Sequence, residues 1–396
     1  MESFDGSRIY FSPCGIGLGH VSRSVPLAQE FVDRGSEVLF STYHEAVDYV
    51  RKYDLPVVNA PSFELENDPT GSIDLKASTL GQSLIAFPTL FEQVRFELQA
   101  MQYFEPDLIF SDSRLSTIYA ARLLKIPCIL LLNQFLPRIP RPRDTTFFKL
   151  LDGTILTLLG RSWALSNLLI IPDFPPPYTI SLDSLRIPKR YGVKVQLVGS
   201  ILSKKPGEIG DSKEIRDRLG VGEDEYLIYA TMSGPRAERM PLIQMLEPIF
   251  KKFPKPYRVV MSLGLPNGGA EPEKDKALTK IPWIENRFEY MKACDLVISR
   301  GGHETILQTI CYKKPSIIIP VPKHPEQYGN ARRAMELGVA EAVPQKDIGR
   351  DFLLNKVKKV LGNRYYLDNL EQMNSKEDLG SGLERTFEII ASYLRR

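Results

Sequence analysis

Asp295-Leu296-Val297-Ile298-Ser299-Arg300-Gly301-Gly302-His303-Glu304-Thr305 is an apolar, β-branched run that passes through two glycines into a segment of helical character reaching about Tyr312. A buried strand turning through glycine into a helix is one unit of a parallel sheet covered on both faces. Paired glycines at a helix start leave the first N–H groups unhindered. Those groups and the helix dipole favour an anion such as a diphosphate. Thr305 adds a hydroxyl donor. Pro315, a second apolar run over residues 316–319, and Pro320-Val321-Pro322-Lys323-His324-Pro325-Glu326-Gln327 follow. Glu326 and Gln327 bring the carboxylate and amide that sugar hydroxyls pair with. A plain turn would explain the two glycines, but not the whole ordered block.

The same alternation extends outward. Residues 226–229 and 258–261 read as strands before it. At the other end of the chain, residues 9–12, 37–42, 108–110 and 129–132 read as strands, with helices over 21–34 and 115–124. This is α/β patterning with parallel sheets. It breaks at residues 172–189, where Pro172, Pro175, Pro176, Pro177 and Pro188 exclude helix and central strand. A strand-like stretch, 193–198, comes next. The reading is two α/β domains of similar size, 1–197 and 198–375, and a tail, 376–396. The tail ends in an amphipathic helix with Phe387, Ile390, Tyr393 and Leu394 on one face.

Composition sets the outer limits. The chain has 396 residues, 25% charged and 43% hydrophobic, with net charge +3. That is ordinary globular composition, and the charge is too small to argue for a nucleic-acid partner. Cys14, Cys128, Cys294 and Cys311 are scattered without a CxxC pair, which disfavours a zinc site or disulfide framework. No run reaches the ~18 apolar residues of a membrane span, and the first residues lack signal-peptide character. A cytoplasmic protein with reduced thiols is expected.

Gly15-Ile16-Gly17-Leu18-Gly19-His20 lies between the first strand and the first helix. It resembles a dinucleotide fingerprint and departs from it. The third glycine is one position early, His20 stands in its place, and Leu39-Phe40-Ser41-Thr42 carries no acidic residue for a ribose. A nicotinamide oxidoreductase is therefore disfavoured. A histidine in the first turn of a helix, at the carboxyl end of a strand, faces the cleft where open α/β sheets bind ligands, and neutral imidazole is a suitable base near pH 7. Asp112 ends another strand and could orient that imidazole and stabilise its protonated form. Its simpler use is as the N-cap of the following helix.

The block at Arg300 to Gln308 and Pro320 to Asn330 resembles the nucleotide-sugar signature of GT-B glycosyltransferases, with families 28 and 1 the most similar. Gly15 to His20, residues 106–112 and Val198-Gly199-Ser200 support the resemblance. It implies two Rossmann-like domains facing across a cleft, the first binding acceptor and the second a UDP-sugar. The final helix would cross back to the first domain. Gly17, Gly19, Arg300, Gly301, Gly302, His303 and Thr305 fall to the donor site, with Glu326 and Gln327 holding the sugar. Ser233 and Gly234 would face the phosphates from a second loop, and Trp283 and Ile284 would lie near the base. His20 would be the catalytic base with Asp112 as its partner. The family's ribose-gripping glutamate is replaced by Gln308, which can make both hydrogen bonds without charge assistance. Glu304, one turn earlier, could take that part.

The implied reaction is an inverting single displacement by an acceptor hydroxyl. No metal or other cofactor is expected, because helix N-terminal donors can stabilise the leaving diphosphate and no Asp-x-Asp pair is present. Two apolar stretches, 80–91 and 147–171, flank Arg138, Arg141 and Arg143. They suit a lipid-linked acceptor and peripheral attachment to the inner face of the cell membrane, or else core helices. A nucleotide-sugar epimerase of the same fold, or a non-catalytic sugar-binding subunit, are the alternative readings.

Overall fold

The computed structural model describes residues 4–62, 81–135, 146–185, 187–188, 194–265, 268–269 and 271–395. Two sheets organise them. The first contains β1 (Arg8–Pro13), β2 (Glu37–Thr42), β3 (Val57–Asn59), β4 (Leu108–Asp112), β5 (Cys128–Leu131), β6 (Leu168–Ile171) and β7 (Val195–Leu197). Their spatial order is β3-β2-β1-β4-β5-β6-β7, all parallel. The second contains β8 (Tyr226–Thr231), β9 (Tyr257–Ser262), β10 (Glu273–Asp275), β11 (Leu278–Ile281), β12 (Leu296–Ser299), β13 (Ser316–Ile318) and β14 (Ala340–Ala342). Its order is β10-β11-β9-β8-β12-β13-β14, parallel except for the β10–β11 hairpin.

Helices cover both sheets. Those of the first half are α1 (Gly19–Val32), α2 (Glu45–Arg51), α3 (Gly81–Phe104), α4 (Leu115–Leu124) and α5 (Thr146–Trp163). The second half adds α6 (Ser212–Arg218), α7 (Arg236–Phe250), α8 (Arg287–Ala293), α9 (His303–Cys311), α10 (Pro325–Glu336), α11 (Arg350–Leu361), α12 (Tyr365–Lys376) and α13 (Gly382–Leu394). Central strands are buried on both faces, as Ile9, Tyr10 and Phe11 of β1 and Leu296, Val297 and Ile298 of β12 illustrate. That is why they read as unbroken apolar runs rather than alternating ones.

Strand order fixes where a ligand can sit. The order reverses between β1 and β4 in the first sheet and between β8 and β12 in the second. At such a point the loops leave the sheet in opposite directions and open a crevice at the carboxyl ends. The loops at these two points carry Gly15–His20, Asp112, Ser233-Gly234 and Gly301–Thr305, and the two crevices face each other.

The stretch 147–171 is not one apolar helix. α5 ends at Trp163, and Leu168–Ile171 is a buried strand between β5 and β7. The polar residues Ser166 and Asn167 end the helix, and four consecutive apolar residues suit a strand shielded on both faces. The described part of the proline-rich stretch leaves the first sheet and lays Phe174 and Ile180 into the core of the second. The side chains of residues 81–87, and Arg138, Arg141 and Arg143, lie outside the described residues.

The chain crosses between halves twice. At the two crossings Ser200 N–H donates to Leu379 O (2.8 Å) and Gly382 N–H to Ser200 O (3.0 Å). Gly199 has φ +88°, and a Cβ there would stand 2.9 Å from Leu379 O, so this approach requires glycine. α13 then packs on α1 of the first half. Phe387 stacks on Phe31 with centroids 4.5 Å apart, and the Arg34 guanidinium lies 4.1 Å from the Phe387 ring centre.

Candidate active site

The facing crevices enclose a cavity of about 250 Å³. α1, α7 and α9 all begin on it, and none carries a side-chain cap on its first N–H groups. Three positive helix ends converging on one space form a seat for an anion. Ser233 Oγ lies 3.3 Å from where a Cβ on Gly302 would stand, so the β8–α7 loop and the start of α9 frame that seat together. A Cβ on Gly17, which has φ +72°, would come within 3.6 Å of Gly234 Cα, so the two glycine loops meet across the cleft.

Gly17, Gly19, His20, Ser233, Gly234, Trp283, Ile284, Gly302, His303, Glu304, Thr305, Gln308, Glu326 and Gln327 all line the cavity. Asp112 sits directly behind His20, fully buried, and His20 Nδ1 is 2.8 Å from Asp112 Oδ1. β1 and β4 are paired with Pro13 opposite Asp112, which brings the end of β4 beneath the loop that carries His20. Asp112 does not cap α4, whose N-cap is Arg114. Burial alone would raise the Asp112 carboxyl, but the charges of Arg23 and His20 outweigh it and hold the carboxyl well below the usual range. An ionised Asp112 can only accept, so His20 Nδ1 carries a proton toward it.

Three expected roles change. Arg300 is not on the cavity: it is sealed below the loop, donating to Gln345 Oε1 (2.7 Å), Glu238 O (2.7 Å) and Ile319 O (3.3 Å). Burial pushes its pKa down to about 10 against the pull of Glu238. It ties the loop after β12 to the first turn of α7, to the end of β13 and to Gln345 beyond β14. Gly301 also lies off the cavity, packed so tightly on Gln327 that a Cβ would stand 2.7 Å from the Gln327 carbonyl. The His303 side chain is 2% exposed, with Nε2 3.0 Å from Asp173 Oδ2. Asp173 also accepts the N–H groups of Phe174, Ile180 and Ser181. His303 thus pins the proline-rich crossing to α9, and only its backbone is left for a phosphate.

The pair expected to hold the sugar divides its labour. Gln327 Oε1 accepts from Gly301 N–H (3.1 Å) and Val321 N–H (2.9 Å), so its amide oxygen is spent on the loops. Glu326 accepts from Asn133 Nδ2 of the first half (3.1 Å). Gln308 Nε2 donates to Glu304 Oε1 (2.7 Å), which leaves the Gln308 oxygen as its acceptor. Glu304 also meets Arg287 (3.3 Å) and, across the cleft, the Ser22 hydroxyl (3.1 Å). Burial raises the Glu304 carboxyl despite those partners.

Sequence reading missed Arg23, Glu45, Asn133, Arg239 and Arg287. Arg239 reaches across the cleft to both oxygens of Glu45 (2.8 and 3.0 Å). Trp283 packs near Tyr49 of the first half, with centroids 5.9 Å apart, and under the Lys52 ammonium. For Arg23 a signal existed, since position i+3 from His20 shares its helix face. The others come together only through tertiary packing.

Comparison with known proteins agrees with this architecture. Residues 265–385 match the glycosyltransferase family 28 C-terminal domain. An uncharacterized glycosyltransferase of Methanopyrus kandleri is 24% identical over 383 residues, 93% of this chain and 99% of that one. The UDP-N-acetylglucosamine--N-acetylmuramyl-(pentapeptide) pyrophosphoryl-undecaprenol N-acetylglucosamine transferase of Bacillus cytotoxicus is 28% identical over 117 residues, 29% of this chain and 32% of that one. The crystal structure of the kitacinnamycin glycotransferase superposes with TM-score 0.69 at 16% identity, covering 98% of this chain and 99% of that one. The fold is GT-B, and the chain resembles glycosyltransferases of that fold. Within the class it resembles families 28 and 1.

Proposed function

We propose that the protein is an inverting glycosyltransferase that moves a hexose from a UDP-sugar to an acceptor hydroxyl, with His20 as general base. The observation that carries this is the 2.8 Å contact of His20 Nδ1 with Asp112 beside the uncapped start of α9. The acceptor hydroxyl would give its proton to His20 Nε2 as its oxygen attacks the anomeric carbon. The nucleoside diphosphate would leave from the opposite face toward the N–H groups of His303, Glu304 and Thr305 and the Ser233 hydroxyl. Charge grows on that leaving group, so preorganised donors lower the barrier. In this reading the helix ends supply what a cation would, and transfer persists in excess chelator. The Gln308 oxygen would accept from a ribose hydroxyl, and Trp283 and Ile284 would flank the base.

The UDP assignment draws support from the donor in the name of the Bacillus cytotoxicus relative. The same name supports a lipid-linked acceptor. No described helix is long and apolar enough to cross a membrane. Attachment would therefore be peripheral, through the first half. The deciding experiment is calorimetry of the full chain with UDP, other nucleoside diphosphates and UDP-sugars. Selective UDP binding is expected, and equal or absent binding of UDP overturns the donor assignment.

A further inference from the structure

Arg23 follows His20 by one turn of α1 and is 4% exposed. Its Nε donates to Asp112 Oδ2 (2.6 Å) and its Nη2 to Oδ1 (2.7 Å), a two-pronged charge-assisted pair. Oδ1 is the same oxygen that meets His20, and it also accepts from the Ser113 hydroxyl (3.0 Å). Arg23 Nη2 lies 3.2 Å from His20 Nδ1 itself. Both nitrogens carry protons, so this contact is a close approach of two donors to one acceptor.

A buried carboxylate alone beside an imidazole stabilises the imidazolium. His20 and Asp112 would then rest as an ion pair, and a protonated imidazole cannot take the acceptor's proton. Arg23 changes that balance. With His20 neutral, the three side chains sum to zero charge. Protonating His20 adds a net charge in a buried space, next to a guanidinium. The other charged groups facing this trio come from across the cleft. Glu304 of α9 acts on both His20 and Arg23, and Glu326 of α10 acts on Arg23. Glu304 is already engaged by Arg287, Gln308 and Ser22, and Glu326 by Asn133.

We propose that Arg23 is a positioning residue for the base: by neutralising Asp112 it lets the carboxylate hold the His20 imidazole by Nδ1 without protonating it at rest, so that Nε2 stays free toward the cleft. The inference rests on the reading of His20 as base.

The test needs no substrate. The chain has four histidines, so imidazole ¹⁵N–¹H correlation spectra of the full-length protein can be assigned with His20→Gln. In the wild type, His20 should show a protonated Nδ1 and a bare Nε2 above its titration midpoint. In Arg23→Met that midpoint should rise by about one pH unit or more, the size expected for an opposite charge in contact that has lost its counterion. Arg23→Lys, which keeps the charge, should restore most of the shift. An unchanged midpoint in Arg23→Met overturns the proposal. If Arg23→Met does not fold, the pair Asp112→Asn and Asp112→Asn/Arg23→Met decides. The double variant removes a whole buried ion pair, a change proteins often tolerate. Its His20 should titrate above that of Asp112→Asn alone, and equal midpoints overturn the proposal. A His20→Gln chain that transfers sugar at the wild-type rate would instead remove the base reading and leave the titration result standing.

Discussion

His20 and Asp112 are 92 positions apart, yet the pairing of β1 with β4 brings them into contact. Removing the base should lower transfer by the ~10²–10⁴-fold typical of general-base loss while UDP affinity stays near the wild-type value. Steady-state kinetics of His20→Ala, with calorimetry alongside, measures both; full activity rules the base out. Asp112→Asn should be impaired beyond lost orientation, because it leaves Arg23 unpaired beside the imidazole. Adding Asp112→Asn to His20→Ala should cost little more, since residues that act as a unit are not additive. Both partners were legible in the sequence because each ends or follows a recognisable strand. The pairing of Asp112 with Arg23 was not, because Arg23 gave only a helical spacing. A second residue-scale expectation concerns Glu238, whose carboxyl burial raises to about 7 despite Arg300, with Glu326 adding to the rise. A folded pKa above the unfolded one means the folded state binds more protons between about pH 4.5 and pH 7. Its contribution is therefore full at low pH and lost as pH rises through 7, at most ~3 kcal/mol in all. Glu238→Gln should flatten that fall in denaturant melts taken from pH 5 to pH 8, and an identical slope in both proteins contradicts it.

At the scale of elements, the proposed function makes the start of α9 the element that should bear most on donor binding. Gly302 has an ordinary extended backbone (φ −65°), so valine is allowed there conformationally, and its methyls would crowd Ser233 and fill the seat between the two loops. Gly302→Val should thus keep the fold and abolish UDP binding by calorimetry; unchanged affinity places the diphosphate elsewhere. The strand–Gly-Gly–helix unit was legible because backbone geometry demands glycine locally. The fates of Arg300 and His303 were not. Whether a polar side chain beside such a loop faces ligand or braces the scaffold depends on what packs behind it. Here that is Gln345 and Asp173, 45 and 130 positions away. α13 carries a second element-scale expectation. Phe387 is buried between Phe31, Phe4 and the Arg34 guanidinium. Phe387→Ala should cost about 3–5 kcal/mol, the usual range for an aromatic cavity. Thermal melts should record that loss while UDP still binds, because most of the groups assigned to the donor lie in the other half.

The molecule as a whole is two sheets joined by two crossings that bond to each other, with side-chain contacts spanning the cleft. Arg239 holds Glu45, Glu304 accepts from Ser22, and Glu326 accepts from Asn133. All three second-half residues also line the cavity, so closure and ligand binding share the same groups. Glu45→Gln removes one charge of the Arg239–Glu45 ion pair across the cleft. It should shift the ligand-free chain toward open forms, seen as a larger radius of gyration in solution scattering, and UDP should restore the wild-type value. A radius equal to that of the wild type in the free chain would mean the contact does not hold the halves together.

The amino-acid sequence determined the α/β class, the two series of strands, the glycine loops and the pairing of His20 with Asp112 as a candidate. Those features are written in local physics: strand and helix periodicity, glycine where the backbone must turn, and polar residues at strand ends. Tertiary structure alone decided that Leu168–Ile171 is a strand, that Arg300 and His303 serve the scaffold, and that Arg23 pairs with Asp112 beside His20. Each of those outcomes depends on partners distant in sequence, and burial makes them matter: a buried charge has to find an opposite one, and chain spacing does not say which.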